Sequence, residues 1–128
     1  MQVKRIDHLV LTVADIERSV EFYSRVMGMR RVEFGEGRIA LAFGAQKINL
    51  HQRGREFSPR AGQVQAGSAD LCFVIEEPVE SALEELRAQG VEIIEGPVPR
   101  TGAEGRIVSV YFRDPDLNLI EVCNYVRD

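Results

Sequence analysis

The chain has 128 residues, 45% of them hydrophobic and 28% charged, with a formal net charge of -4. That length and balance describe one ordinary globular domain, long enough to bury a core. The acidic charge, with no basic run, excludes general nucleic-acid binding, and no apolar stretch approaches the roughly 20 residues that span a bilayer.

Ile6 to Val13 is a β-branched and apolar run, predicted as the first strand. Alternation places His8, Val10 and Thr12 on one face and Leu9, Leu11 and Val13 on the other. Asp15 stands where a helix N-cap belongs. Ile16, Val20, Phe22, Tyr23, Val26 and Met27 then form a helical apolar stripe, and Gly28 ends it as a C-cap would. Strands follow at Met29 to Phe34, Arg38 to Phe43 and Lys47 to Gln52, separated by Gly-containing turns. The first module, residues 1–53, is therefore β-α-β-β-β.

Residues 54–67 carry Pro59, Gly54, Gly62 and Gly67 without periodicity, and read as a connecting loop. The pattern then restarts in a second module, residues 68–128. Ala69 to Ile75 is predicted as a strand, and Pro78 to Gln89 as a helix opened by Pro and stopped by Gly90. Val91 to Ile94 is a short strand and residues 96–105 a Gly/Pro-rich loop. Ile107 to Phe112 and Asn118 to Tyr125 form a closing hairpin around Asp114-Pro115-Asp116. The expected fold class is α+β: one domain, 1–128, of two βαβββ modules forming an open barrel around a cleft.

Three residues stand out chemically. Glu121 is a carboxylate on an otherwise apolar strand, costly to bury bare, so it must be paired, ligated or solvated. His8 and His51, the only histidines, occupy similar strand settings. Aligning the modules sets His8 against Asp70 and His51 against Glu121. First and last strands converging on a cleft would suit a metal centre. Taken alone, each histidine is more often a core residue, and Arg113 serves most simply by bridging Asp114 and Asp116. Residues 100–105 form either a lid or a plain surface loop. Cys72 and Cys123, outside any Cys-x-x-Cys pair, read as buried thiols. The start Met-Gln-Val-Lys-Arg has no signal-peptide pattern, so a cytoplasmic location is expected.

Three stretches carry a resemblance: Ile6-Asp-His8-Leu-Val-Leu-Thr-Val, Phe22-Tyr23-Ser-Arg-Val-Met-Gly28-Met, and Tyr111-Phe-Arg-Asp-Pro-Asp-Leu-Asn-Leu-Ile-Glu121. They resemble the vicinal oxygen chelate superfamily, which holds glyoxalase I, extradiol dioxygenases, fosfomycin thiol transferases and bleomycin-resistance proteins. Phe43 to His51 and residues 96–105 are similar, more narrowly, to the group called glyoxalase domain-containing protein five. The resemblance implies a divalent ion, Zn, Ni, Mn or Fe, held by His8, His51 and Glu121, with Asp70 in the outer shell. It implies a metal-dependent isomerase or lyase acting on a small substrate with vicinal oxygens, in which Glu121 also serves as catalytic base. Ring-opening dioxygenation, thiol transfer and non-catalytic small-molecule binding are the alternatives. The expected partners are the small-molecule substrate and a second copy in a homodimer, with no nucleic acid and no membrane.

Overall fold

The computed structural model describes residues 1–127. The chain divides into two compact units, Met1–Gly67 and Ser68–Asp128. The first holds β1 (His8–Val13), α1 (Ile16–Met27), β2 (Arg30–Phe34), β3 (Arg38–Phe43) and β4 (Gln46–Gln52). The second holds β5 (Asp70–Val74), α2 (Val79–Ala88), β6 (Glu95–Gly102), β7 (Gly105–Arg113) and β8 (Leu119–Tyr125). Each unit is a four-stranded sheet with one helix, and the fold is α+β as expected. The strand orders match: β1-β4-β3-β2 in the first unit and β5-β8-β7-β6 in the second. The first and last strands of each unit pair in parallel, and the remaining neighbours are antiparallel.

Alternation assigns the two faces of each sheet. In the first unit Leu11, Val13, Ile39, Leu41, Ile48 and Leu50 are buried, together with Val20 and Tyr23 of α1. In the second, Val110, Phe112, Ile120 and Val122 are buried together with Val79, Ala82 and Leu86 of α2. Each large apolar side chain so covered contributes about 1.5–3 kcal/mol. The opposite faces carry the polar residues: His8, Lys47, Asn49 and His51 in one unit, and Asp70, Cys72, Ser109, Tyr111 and Glu121 in the other.

The ends of α1 follow the sequence. The Asp15 side chain accepts from Arg18 N–H at 3.1 Å, and Gly28 caps the helix at φ 66. Pro78 offers α2 no side-chain cap, and the last strand supplies one instead. Asn124 Oδ1 accepts from Val79 N–H at 2.8 Å, and Asn124 Nδ2 donates to the carbonyls of Ile75 and Glu77. Gln52 does the same in the first unit, accepting from Ile16 N–H at 3.2 Å and donating to the Ala14 carbonyl at 2.6 Å.

Two sequence expectations change. The short strand expected at Val91 to Ile94 is absent, and the expected Gly/Pro loop forms β6, Glu95–Gly102. Pro97 and Pro99 are tolerated because β6 is the outer strand of its sheet, where a missing N–H breaks no inner ladder. A register shift between Glu95 and Val98 absorbs the irregularity. Gly96 is required there: a Cβ would come within 2.5 Å of the Ser109 carbonyl oxygen. The hairpin turn is also held differently. Asp114, 3% exposed, accepts from the N–H groups of Asp116 and Asn118 and from Asn118 Nδ2, while Asn118 Oδ1 accepts from Ala69 N–H. Arg113 donates to the Leu117 carbonyl.

Replacing Asn124 with Ala strips the first turn of α2 of its side-chain acceptor and frees two carbonyls. Urea unfolding should show a loss of about 1–2 kcal/mol, with an unchanged m value reporting an unchanged fold.

Candidate functional site

His8 opens β1 and is half-exposed, with a side-chain accessibility of 44%. Its Nδ1 lies 2.8 Å from Asp7 Oδ1. A carboxylate only accepts, so the proton sits on Nδ1 and the Nε2 lone pair is free. The same hydrogen bond holds the Asp7 carboxyl below its ordinary range. An imidazole anchored this way has a fixed tautomer and ring orientation, as metal-binding histidines commonly have.

Glu121 is half-buried on β8, flanked in register by Cys72 of β5 and Tyr111 of β7. Ser109 Oγ donates to Glu121 Oε2 at 2.5 Å, which orients the carboxylate and leaves Oε1 uncommitted by that bond. Burial pushes the Tyr111 phenol up, with Glu121 adding to the shift, so Tyr111 stays protonated. Its oxygen accepts from Arg100 Nε at 3.0 Å, and Arg100 in turn reaches Glu95. Arg100 therefore belongs to β6 and braces the Glu121 face, where the sequence left its stretch between a lid and a surface loop. The two cysteines meet on this face with sulfurs 3.6 Å apart. Burial first, then the Cys123 thiol, pushes Cys72 up to about 12.

His51 lies deeper, 3% exposed, near the end of β4. Its Nε2 faces Arg38 Nη2 at 3.5 Å; guanidinium cannot accept, so Nε2 accepts and the ring proton rests on Nδ1. Burial, and then the Arg38 charge, hold its pKa below 6.5, so the ring is neutral near pH 7. His8 pairs with Lys47, whereas His51 pairs with Thr12. That four-residue offset separates the two histidines by about 13 Å along the strands. The structure thus does not gather His8 and His51 around one point, and a cationic guanidinium already faces the His51 lone pair.

The ladders also correct the module alignment. His8 opposite Lys47 corresponds to Asp70 opposite Leu119. Two residues further along, Asn49 matches Glu121 and His51 matches Cys123. The Gln52 and Asn124 clamps confirm this frame, since each immediately follows the matched pair and each caps its own helix. Asn49 is the residue missed from sequence; its only signal was a polar side chain on a strand otherwise read for histidine. Among the described residues, no three His, Cys, Asp or Glu side chains are grouped so as to hold a metal ion.

The Glyoxalase/Bleomycin resistance protein/Dioxygenase superfamily matches the chain over residues 5–122. The chain belongs to this superfamily. Within it, the chain is 54% identical to "Virulence protein STM3117" of Salmonella typhimurium, covering 98% of this chain and 88% of that protein. It is 53% identical to "Glyoxalase domain-containing protein RDO1" of Mycosarcoma maydis, covering 98% of this chain and 70% of the relative. An integron cassette protein from V. cholerae superimposes with a TM-score of 0.97 at 59% identity, over 98% of both chains. Superfamily membership thus accounts for the repeated βαβββ order. No helix among the described residues is long and apolar enough to cross a membrane.

The depressed His51 pKa fixes a pH dependence. Between the folded pKa and the unfolded value near 6.5, the unfolded chain binds the proton and the folded chain does not. Stability is therefore complete above about pH 6.5 and falls as the pH drops below it. Melting temperatures from pH 7.5 to 5.5 should decline, and His51→Gln should flatten that decline.

Proposed function

We propose that the chain is a metal-dependent enzyme acting on a small substrate with two neighbouring oxygens, by isomerase or lyase chemistry. The observation that carries this reading is the preparation of His8, with Asp7 on Nδ1 and Nε2 left free. The donor chemistry fits a divalent ion: an anchored imidazole at His8, a Ser109-oriented carboxylate at Glu121, and the exposed carboxylate Asp70 at the ladder position matching His8. His8, Glu121 and Asp70 are the proposed ligands. His51, turned to Arg38, is left out of the set.

When bound, the ion supplies Lewis-acid polarisation of the substrate oxygens; imidazole and carboxylate suit Zn, Ni, Mn and Fe alike. The remaining work falls to the chain. Glu121 accepts and returns the substrate proton at Oε1 while Ser109 holds Oε2 in place. Tyr111, kept protonated and braced by Arg100, presents a phenol beside that carboxylate.

A second reading is favoured by one observation, that no three-donor group is assembled among the described residues: a small-molecule-binding protein without catalysis. Elemental analysis of untagged protein, purified without added metal, separates the two. One divalent ion per chain supports the enzyme, and metal-free protein that still binds its ligand supports the alternative. By calorimetry, His8→Ala and Glu121→Ala should each weaken metal binding tenfold or more, a loss of at least about 1.4 kcal/mol. Asp7→Asn should weaken it roughly 10–100-fold through the lost anchor. Asp70→Ala should cost more than His51→Ala, and the reverse order would return His51 to the ligand set.

A homodimer is part of this proposal. β1 and β5 are outer strands of their own sheets and carry exposed apolar side chains, Val10 at 44% and Val74 at 65%, a surface that favours covering by another chain. Sedimentation equilibrium at micromolar concentration should return twice the chain mass, and Val74→Lys should shift it towards the monomer.

A further inference from the structure

The polar face of the first sheet carries two cations, Arg38 and Lys47, held against aromatic rings. Arg38 of β3 lies between two aromatic rings, 5.1 Å from the Phe34 centroid and 4.8 Å from that of Phe57. Lys47 Nζ stands 3.7 Å from the Phe34 centroid. Among the described residues neither Arg38 nor Lys47 forms a salt bridge. Phe34 pairs with Arg38 and Arg38 lies beside His51, whereas Lys47 sits four residues back along β4. Arg38 and Lys47 nonetheless share the Phe34 ring. The cations and rings therefore gather over one patch of sheet.

Beneath them are two buried polar atoms without a hydrogen-bond partner, His51 Nδ1 and Asn49 Oδ1, on residues 3% and 5% exposed. Leaving such groups unpaired is destabilising. The costs persist beside two cations held by ring faces, where ordinary ion pairs would be cheaper. One carboxylate, Glu56, acts on His51 electrostatically. It already accepts from Gly54 N–H at 3.0 Å and lies 4.0 Å from Arg60. Asp7 acts in the same way on Lys47; with Arg38, Lys47 and Arg60 set against Glu56 and Asp7, the patch keeps a positive balance.

We propose that this patch is an oxyanion-binding subsite, in which Arg38 clamps a carboxylate or phosphate group of a small organic ligand, Lys47 adds charge, His51 Nδ1–H donates to a ligand oxygen, and Asn49 Oδ1 accepts from a ligand O–H or N–H. Guanidinium matches such groups bidentately, and the Phe34 and Phe57 rings hold its plane in readiness. As a statement about substrate, this rests on the metal-enzyme reading: the substrate is then an anion. As a binding site it stands without that reading.

The test uses the full chain stripped of metal with chelator. Backbone amide NMR follows titrations with inorganic phosphate, benzoate and uncharged benzamide. Both anions should produce saturable shifts at residues 38, 49, 51 and 57, with benzamide producing none. Arg38→Gln should weaken anion binding at least tenfold, and Lys47→Gln, a milder change at a half-buried position, severalfold. His8→Ala and Glu121→Ala should leave anion binding unchanged, and Arg38→Gln should leave metal content unchanged, so either proposal can fail alone. Equal shifts with benzamide, or anion affinity untouched in both charge variants, would overturn the subsite. A preference for phosphate over benzoate, or the reverse, identifies the anion class.

Discussion

The structure depends on a carboxamide placed just beyond the polar-facing stretch of each closing strand. Gln52 and Asn124 each hold the first N–H of their helix and the carbonyls leading into it. A helix N-terminus has unpaired donors that must be satisfied, and here the partner comes from across the sheet. The clamp therefore joins three decisions: where the helix starts, how the parallel pair is registered, and which residues of the last strand face away from the helix. In a strand a one-residue slip turns every side chain to the other face. Fixing the register at one end thus fixes Glu121 and Asn49 on the polar faces.

The same logic explains why the two polar faces differ in chemistry although they share a plan. In the second unit a carboxylate, a phenol, a hydroxyl and two thiols gather on one surface, with Arg100 as the bracing cation. In the first, the matching surface holds Arg38, Lys47, Asn49 and His51. One face is centred on a carboxylate and thiols, the other on two cations held against aromatic rings. A repeated fold has therefore been divided between two electrostatic tasks, and its backbone frame does not choose between them.

Much of this was legible in the sequence. Alternation gave the strands and their faces, and Asp15 and Gly28 marked the ends of α1 as capping chemistry requires. The family was carried by short runs around His8, Phe22 and Glu121. Two things were not legible. β6 was hidden because Gly96, Pro97 and Pro99 have the composition of a loop, and only its place at the sheet margin makes them acceptable. The counterpart of Glu121 was misread because the second unit uses more residues between its first and last strands. Counting from motifs therefore drifted, whereas the ladders and carboxamide clamps did not. That His51 faces a guanidinium could not be inferred either, since Arg38 reaches it only through antiparallel pairing of β3 and β4.

The prolines of β6 have a consequence for the margin of the second sheet. A strand margin recruits another strand by offering alternating N–H and C=O groups. Pro97 and Pro99 delete donors from that series, and the register shift beside them interrupts its spacing. The β6 side of the second sheet therefore resists zippering onto another chain. The β5 side carries no proline and ends in exposed Val74. The two margins of the second sheet are thus chemically unlike, with the prolines confined to one of them. Unpaired strand donors are thereby fewer along β6 than along β5, which works against stacking of sheets through the β6 margin.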